Sequence, residues 1–189
     1  MTGVTDPRFQ RSREAILTAA RELLLAHGPS AVTHHQIAEH AGIGRATVYR
    51  HWPRTDQLLG EAMATVPMPF FDTPTRPLRK WLVQELTAIA RQLEHDDVLA
   101  VSTTLANAAL WVADMDARRA TFAVALTERL SAALEEAQRL GEFELRAEPK
   151  AIAALTIGPL YYRATIEHTT TTPETIEHCV TALGTWTDH

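Results

Sequence analysis

The sequence lacks most of what would place it outside the cell or in a membrane. Cys179 is its one cysteine in 189 residues, so no disulfide framework can form within a chain. No apolar run reaches the ~18 residues of a membrane helix, and residues 1–10 hold no apolar core of a secretion signal. Sustained period-2 alternation is also missing, so no strand is expected. There is no phosphate-cradling glycine loop, no HExxH and no nucleophile elbow, and the paired carboxylates at Asp96–Asp97, Asp114–Asp116 and Glu135–Glu136 read as caps or solvated helix faces. No catalytic residue is therefore expected. What is present is 46% apolar and 22% charged, which excludes a disordered or collagen-like chain. The expectation is a soluble, cytoplasmic, globular protein without a membrane partner.

A net charge of −5 argues at first against a nucleic-acid partner, but the charge is unevenly spread. Residues 1–60 hold seven Arg against five acids, and residues 61–189 hold nine Arg and two Lys against eighteen acids. Five of the nine histidines also fall in the first sixty residues. The basic surplus is small and confined to one segment.

Helical spacing recurs throughout, and about nine helices are expected in an all-α fold. The first spans Arg11 to His27, with Ile16, Ala20, Leu23 and Leu24 on one face, and Gly28-Pro29 ends it. Thr33 starts a short helix to about Ala41, and Gln36 three residues on makes a capping-box pattern. Gly42-Ile43-Gly44 is a tight turn, and a helix of about seven residues follows from Arg45. A fourth helix runs from Thr55, whose hydroxyl can cap it, to about Val66. Four prolines between Pro67 and Pro77 mark a hinge. Longer helices are expected over 78–94, 97–113, 116–140 and 149–168, and a last one from Thr172-Pro173 to about 187. The expected division is 1–60 and 61–189.

The two short helices around Gly42 form a helix-turn-helix. Ile37, Ala38, Ile43 and Val48 are spaced to pack the pair on Ile16 and Leu24. Arg45, Thr47, Tyr49 and Arg50 are left facing outward. Arginine can pair bidentately with guanine O6 and N7, a Thr methyl can meet the thymine methyl, and hydroxyls suit phosphate oxygens. Arg8, Arg11 and Arg13 are either an N-terminal arm reaching DNA or a solvated terminus.

The run Val32-Thr33-His34-His35-Gln36-Ile37-Ala38-Glu39-His40-Ala41-Gly42-Ile43-Gly44-Arg45-Ala46-Thr47-Val48-Tyr49-Arg50-His51-Trp52-Pro53 closely resembles the DNA-binding signature of TetR-family regulators. The resemblance extends from Ile16 to Leu58-Leu59. It implies a three-helix DNA-reading domain, followed by a divergent helical domain that binds a small effector and forms a two-fold homodimer. By that resemblance Thr33 caps the second helix and touches phosphate. Arg45, Thr47 and Arg50 face base edges, Tyr49 and His51 face the DNA backbone, and Val48 and Trp52 are core. Gly44, Ala46 and Arg54 complete the candidate DNA-contacting set. The family usually has Ser where Gly44 stands and often Lys where Thr55 stands, departures that bear on affinity rather than fold.

The remaining features are read from spacing and chemistry. His34, His35 and His40 lie close in sequence, but adjacent residues point about 100° apart on a helix. No Cys or carboxylate completes a tetrahedral set, so neither a metal nor a cofactor is expected. These imidazoles read as solvated or phosphate-facing. Cys179 has neither a resolving cysteine nor a basic cluster and reads as a small apolar residue. Trp81, Leu105, Trp111, Met115, Phe122 and Tyr162 are candidates to line an effector cavity, and each also suits an ordinary core. Phe70 and Phe71 beside the hinge read as a packed staple or a cavity gate. Leu155, Gly158, Tyr162 and Ile166, with Ile176, Val180 and Leu183, are the candidate dimer faces. The expected function is a ligand-released repressor that binds a palindromic double-stranded operator as a dimer. The alternative is a helical small-molecule carrier with a vestigial reading head.

Overall fold

The computed structural model describes residues 7–110 and 112–187. Among the described residues nine α-helices carry almost all regular structure. The chain divides into two compact units, Met1–Pro67 with Ala100–Arg118, and Met68–Leu99 with Arg119–His189.

In the first unit α1 (Pro7–His27) packs against α2 (His34–Ala41) and α4 (Thr55–Met63), and α2 packs against α3 (Arg45–His51). Ile16, Ala20, Leu24, Ile37, Val48, Leu58 and Ala62 form its core. Each fully buried Leu or Ile contributes about 1.5–3 kcal/mol relative to an exposed one. That burial, rather than intrinsic propensity, holds helices as short as α2 and α3. Gly28 ends α1 in a positive-φ conformation at 78°, with its amide returned to the Leu24 carbonyl at 2.9 Å. The helix begins four residues earlier than expected, so Arg8, Arg11 and Arg13 lie on α1 and not on an extended arm. The spacing of apolar residues marks where the buried face begins, and the exposed first turn carries no such mark.

Two caps differ from expectation. Thr33 does cap α2, its hydroxyl accepting the Gln36 amide at 3.2 Å. Gln36 does not complete a capping box, because its side-chain oxygen takes the Thr33 hydroxyl proton while the Thr33 amide turns to the Ala31 carbonyl. Thr55 is not the cap of α4. Arg54 holds that position without a side-chain capping bond, and the Thr55 hydroxyl is drawn instead to His34.

In the second unit α5 (Leu78–Gln92) packs against α8 (Pro149–Tyr162) and α9 (Pro173–Ala182), which also pack on each other. Leu82, Leu86, Ile89, Ile152, Leu160, Ile176 and Val180 fill the space between them. α6 (Asp96–Ala108) belongs to this unit up to Leu99 and α7 (Ala113–Arg139) from Arg119 onward, and Leu126, Leu130, Leu134 and Ala137 form the buried face of α7 here. α8 stops at Tyr162, earlier than expected, and a π-helical turn over Arg163–Glu167 ends at His168 in the left-handed region. The apolar pattern runs on through that turn and does not distinguish its wider register.

Two strands correct the strand-free expectation. β1 (Phe143–Leu145) pairs antiparallel with β2 (Gly184–Trp186), which also ends α9 short of residue 187. Three residues are too few for alternation to register. Gly184 permits the pairing, since a Cβ there would fall 2.3 Å from the Glu144 carbonyl oxygen. The Phe143 and Trp186 rings meet at 4.3 Å, tilted by 39°, and the Trp186 indole donates to the Val180 carbonyl at 2.8 Å.

Candidate nucleic-acid interface

The turn between α2 and α3 depends on Gly42, which ends α2 with φ 65°, a conformation costly for residues with a Cβ. Its amide returns to the Ala38 and Glu39 carbonyls, and the Ile43 amide to Ala38 at 3.0 Å. The chain reverses there within three residues. α3 then starts at Gly44, an extended residue with no side-chain cap, as the departure from the family pattern leads one to expect.

Once α3 is placed, its faces separate cleanly. Val48 is fully buried, and Trp52 beyond the last turn is buried as well. Arg45, Ala46, Tyr49 and Arg50 are exposed, with Thr47 half-buried among them. The only side-chain bond of Arg50 among those described is a long one to the Thr47 hydroxyl at 3.4 Å. The outward face thus offers two guanidinium groups, a phenol, a hydroxyl and an exposed alanine on one seven-residue helix. That is a donor-rich surface suited to base edges and phosphates.

The face rests on groups that sequence reasoning placed differently. His34 is buried, 7% exposed, where a solvated or phosphate-facing ring was expected. Its position was legible, because His34 precedes Ile37 and Ala38 by three and four residues and so shares their inward face. His51 is expected to face the DNA backbone, yet its ring is half-buried against α1, 4.1 Å from the Phe9 ring. The Ser12 hydroxyl donates to the Phe9 carbonyl and accepts from His51 Nε2 at 2.8 Å. Burial, with Arg50 and Arg13 nearby, holds the His51 imidazole below the usual histidine range. Arg13 lies 5.4 Å over the Trp52 ring and pairs with Glu61, so it braces α1 against α4. His40 pairs with Glu22 at 2.7 Å.

Arg54, expected at the DNA backbone, is exposed but engaged. Its guanidinium forks onto Asp56 and lies 3.5 Å from Asp114. The pair raises the Arg54 pKa and lowers that of Asp56, chiefly through their hydrogen bond. A phosphate would have to compete with that carboxylate.

The candidate effector residues do not form one group. Leu105 and Met115 are buried in the first unit; Trp81, also buried, and half-buried Phe122 belong to the second. Trp111 lies outside the described residues. Tyr162 is 55% exposed, and its neighbour Tyr161 is the residue that meets Phe122, edge-on at 6.5 Å. Adjacent helical positions point about 100° apart, so spacing alone leaves that choice open. Phe70 meets Phe122 at 5.2 Å, and Phe71 meets Trp81 at 5.7 Å. Among the described residues of this unit, the Tyr161 hydroxyl, the Ser131 hydroxyl and the Trp81 indole nitrogen are buried without a protein partner. Burial pushes the Tyr161 phenol well above its usual range.

The candidate dimer set also divides. Leu155 is 66% exposed and Ile166 64%, and with exposed Gly158 and Tyr162 they make a stripe along α8 and the following turn. Ile176, Val180 and Leu183 are instead buried inside the second unit. They are removed from the interface set, because helical spacing identifies an apolar face but not what covers it. Cys179 is half-buried, and burial raises its thiol pKa away from the reactive thiolate.

The family model of bacterial regulatory proteins, tetR family, matches residues 16–62. The model of the tetracyclin repressor-like C-terminal domain matches residues 73–183. The chain is 31% identical over 134 residues to the uncharacterised HTH-type transcriptional regulator Rv2250c of Mycobacterium tuberculosis. That match covers 67% of this chain and 66% of the regulator, so the chain spans just under two thirds of that relative's length. It is 27% identical over 165 residues to the uncharacterised HTH-type transcriptional regulator YdeS of Bacillus subtilis, covering 85% of this chain and 81% of YdeS. Among solved structures, SmeT, the repressor of the Stenotrophomonas maltophilia multidrug efflux pump SmeDEF, superposes with a TM-score of 0.70 at 20% identity. That alignment covers 94% of this chain and 92% of SmeT. NalD, the secondary repressor of the MexAB-OprM multidrug efflux pump in Pseudomonas aeruginosa, gives 0.67 at 22% identity, covering 90% and 92%. At such identities the two structures speak for the fold.

Proposed function

The chain belongs to the tetR family of bacterial regulatory proteins, and from that premise we propose that it is a sequence-specific DNA-binding transcriptional repressor released by a small molecule. One observation carries the reading. Within the segment that matches the family's DNA-binding model, α3 holds Arg45, Thr47, Tyr49 and Arg50 outward over a fully buried Val48. In this reading residues 1–60 read DNA, and residues 61–189 bind the effector and dimerise. Arg45, Thr47 and Arg50 meet base edges. Thr33 and Tyr49 lie along the phosphates, and Gly44, Ala46 and Arg54 complete the DNA-contacting set. The protein acts in the cytoplasm and has no catalytic role.

The exposed stripe of Leu155, Gly158, Tyr162 and Ile166 supports a homodimer built on α8. A two-fold dimer sets its two α3 helices in successive major grooves about 34–36 Å apart, on a palindromic operator. The effector is a small molecule whose contacts in the second unit are drawn from Trp81, Phe122 and Tyr161. The unpartnered hydroxyls of Tyr161 and Ser131 support that reading, since buried polar groups ordinarily find a partner. A coupling of about 1–3 kcal/mol between effector and DNA gives a 5–150-fold loss of operator affinity.

The test is selection of bound sequences from a randomised duplex library by the purified protein near physiological salt. An enriched palindrome is expected. Binding that is nonspecific and abolished by added salt would reject the repressor reading for the unliganded protein and favour a carrier.

A further inference from the structure

His34 makes three contacts at once, and none of them belongs to its own helix. Its ring stacks on Tyr49 of α3, centroids 4.0 Å apart and planes 7° from parallel. Its Nε2 lies 2.7 Å from the Trp52 carbonyl oxygen, at the end of α3. Its Nδ1 lies 3.1 Å from the Thr55 hydroxyl, at the first residue of α4. A carbonyl oxygen only accepts, so Nε2 carries the proton and Nδ1 of the neutral ring accepts from Thr55. With the ring 7% exposed, both nitrogens are used and one face is covered by Tyr49. A buried polar ring satisfied at both nitrogens has one orientation, because rotation would break both bonds.

Tyr49, by contrast, is 47% exposed and stands on the face that carries Arg45 and Arg50. A tyrosine so exposed, on a helix of seven residues, would ordinarily sample several rotamers. Here one face of its ring lies flat on a fixed support.

We propose that His34 is a positioning residue for DNA reading, holding the Tyr49 side chain in the arrangement that meets DNA. The proposal rests on the reading of α3 as the DNA-reading helix. His34 touches no DNA itself and acts through Tyr49; its bonds to Trp52 and Thr55 fix its own ring. Its contribution is pre-organisation: a Tyr49 already in place loses less rotamer freedom on binding, worth about three- to tenfold in affinity.

The test uses the full chain with its three tyrosines isotopically labelled, and the Tyr49 signal assigned by Tyr49→Phe. In the wild type the Tyr49 ring protons are expected upfield of free tyrosine, because they lie over the imidazole. His34→Val is expected to return them toward the free value and to weaken binding to the selected duplex about three- to tenfold. His34→Phe keeps a flat ring beneath Tyr49 and is expected to restore most of both. In a Tyr49→Ala background, His34→Val is expected to cost little more.

A wild-type Tyr49 ring at the free-tyrosine shift overturns the proposal, even if His34→Val fails to fold. A His34→Val loss that persists undiminished in the Tyr49→Ala background also overturns it, as does unchanged binding by a folded His34→Val. A wild type that selects no duplex at all overturns the DNA reading and the proposal with it. That outcome differs from failure of the proposal alone, in which the wild type binds and the His34 variants bind equally well.

Discussion

Replacing Gly44 by Ser and, in parallel, by Ala tests whether the start of α3 is under-capped. Gly44 has φ −61° and ψ 136°, angles open to any L residue, and a Cβ there would meet nothing within 4 Å. Neither substitution therefore strains the backbone or displaces a neighbour. The Thr47 amide already bonds the Gly44 carbonyl at 2.8 Å, so the introduced serine hydroxyl has the Ala46 amide as its nearest unused donor. A serine N-cap is worth a few tenths of a kcal/mol over glycine and about 1 kcal/mol over alanine. The glycine stands between its two replacements, and the Ser–Ala gap is the quantity to measure. For a chain of this length about 1 kcal/mol corresponds to about 2–4 °C in Tm, within reach of thermal melts followed by circular dichroism. Serine above wild type and wild type above alanine is the expected order. Equal melting of the Ser and Ala variants, or alanine as the most stable of the three, would refute the capping argument.

Arg50→Ala is expected to cost about 1–3 kcal/mol on the selected duplex and to relax preference at one base pair; an equal loss on all sequences, with a shallower salt dependence, would reassign Arg50 to phosphate. Val48→Ala empties a fully buried site beneath α3 and should lower unfolding stability by about 2 kcal/mol in urea titration, a loss that an unchanged midpoint would contradict. Because the folded-state pKa of His51 is depressed by burial and by Arg50 and Arg13, the unfolded chain takes up that proton first; stability is full above about pH 6.5 and falls as pH drops from there toward the folded value. Urea midpoints between about pH 7.5 and 5.5 should therefore fall less in His51→Gln than in wild type, and parallel curves would remove His51 as a source of the slope. Ile166→Glu alters a residue 64% exposed, so it should leave unfolding stability within about 0.5 kcal/mol while sedimentation shifts toward monomer; an unchanged dimer mass would reject the α8 stripe as the interface.

What the sequence made legible is local. Gly28, Gly42, Thr33 and Thr172 sit where helices begin or end, because caps and left-handed turns are decided by a few neighbouring residues. The inward positions Ile16, Leu24, Ile37 and Val48 follow from spacing alone. Spacing does not say what covers a face. It could not tell that Ile176 and Val180 are covered within their own unit while Leu155 and Ile166 are left open. Nor could it tell which of two adjacent tyrosines, Tyr161 or Tyr162, turns toward Phe122. Residue type misled at His34, where polarity suggested solvent or phosphate, and the family resemblance misled at His51, which it sets facing the DNA backbone. The His34 ring instead satisfies both nitrogens on Trp52 and Thr55, and the His51 ring bonds Ser12 through Nε2. The paired strands were out of reach, since their register joins distant segments and depends on the absence of a side chain at Gly184.

A helix of seven residues such as α3 cannot hold its shape alone in water, where isolated helices shorter than about 12–15 residues are marginal. Its geometry is imposed from below by Val48, by Trp52 under the Arg13 guanidinium, by the Gly42 turn and by the His34 ring. The outward residues carry almost none of that load. Arg45 and Ala46 are exposed, and the only side-chain bond of Arg50 among the described residues is its long one to Thr47. In the proposed function, DNA contact and folding thus fall to different side chains of one short helix. Exchange of an outward residue should change which sequence is bound at little cost in stability. Exchange of a supporting residue should instead move all of α3 and weaken every sequence together. Measuring stability and base preference on the same set of variants separates the two groups.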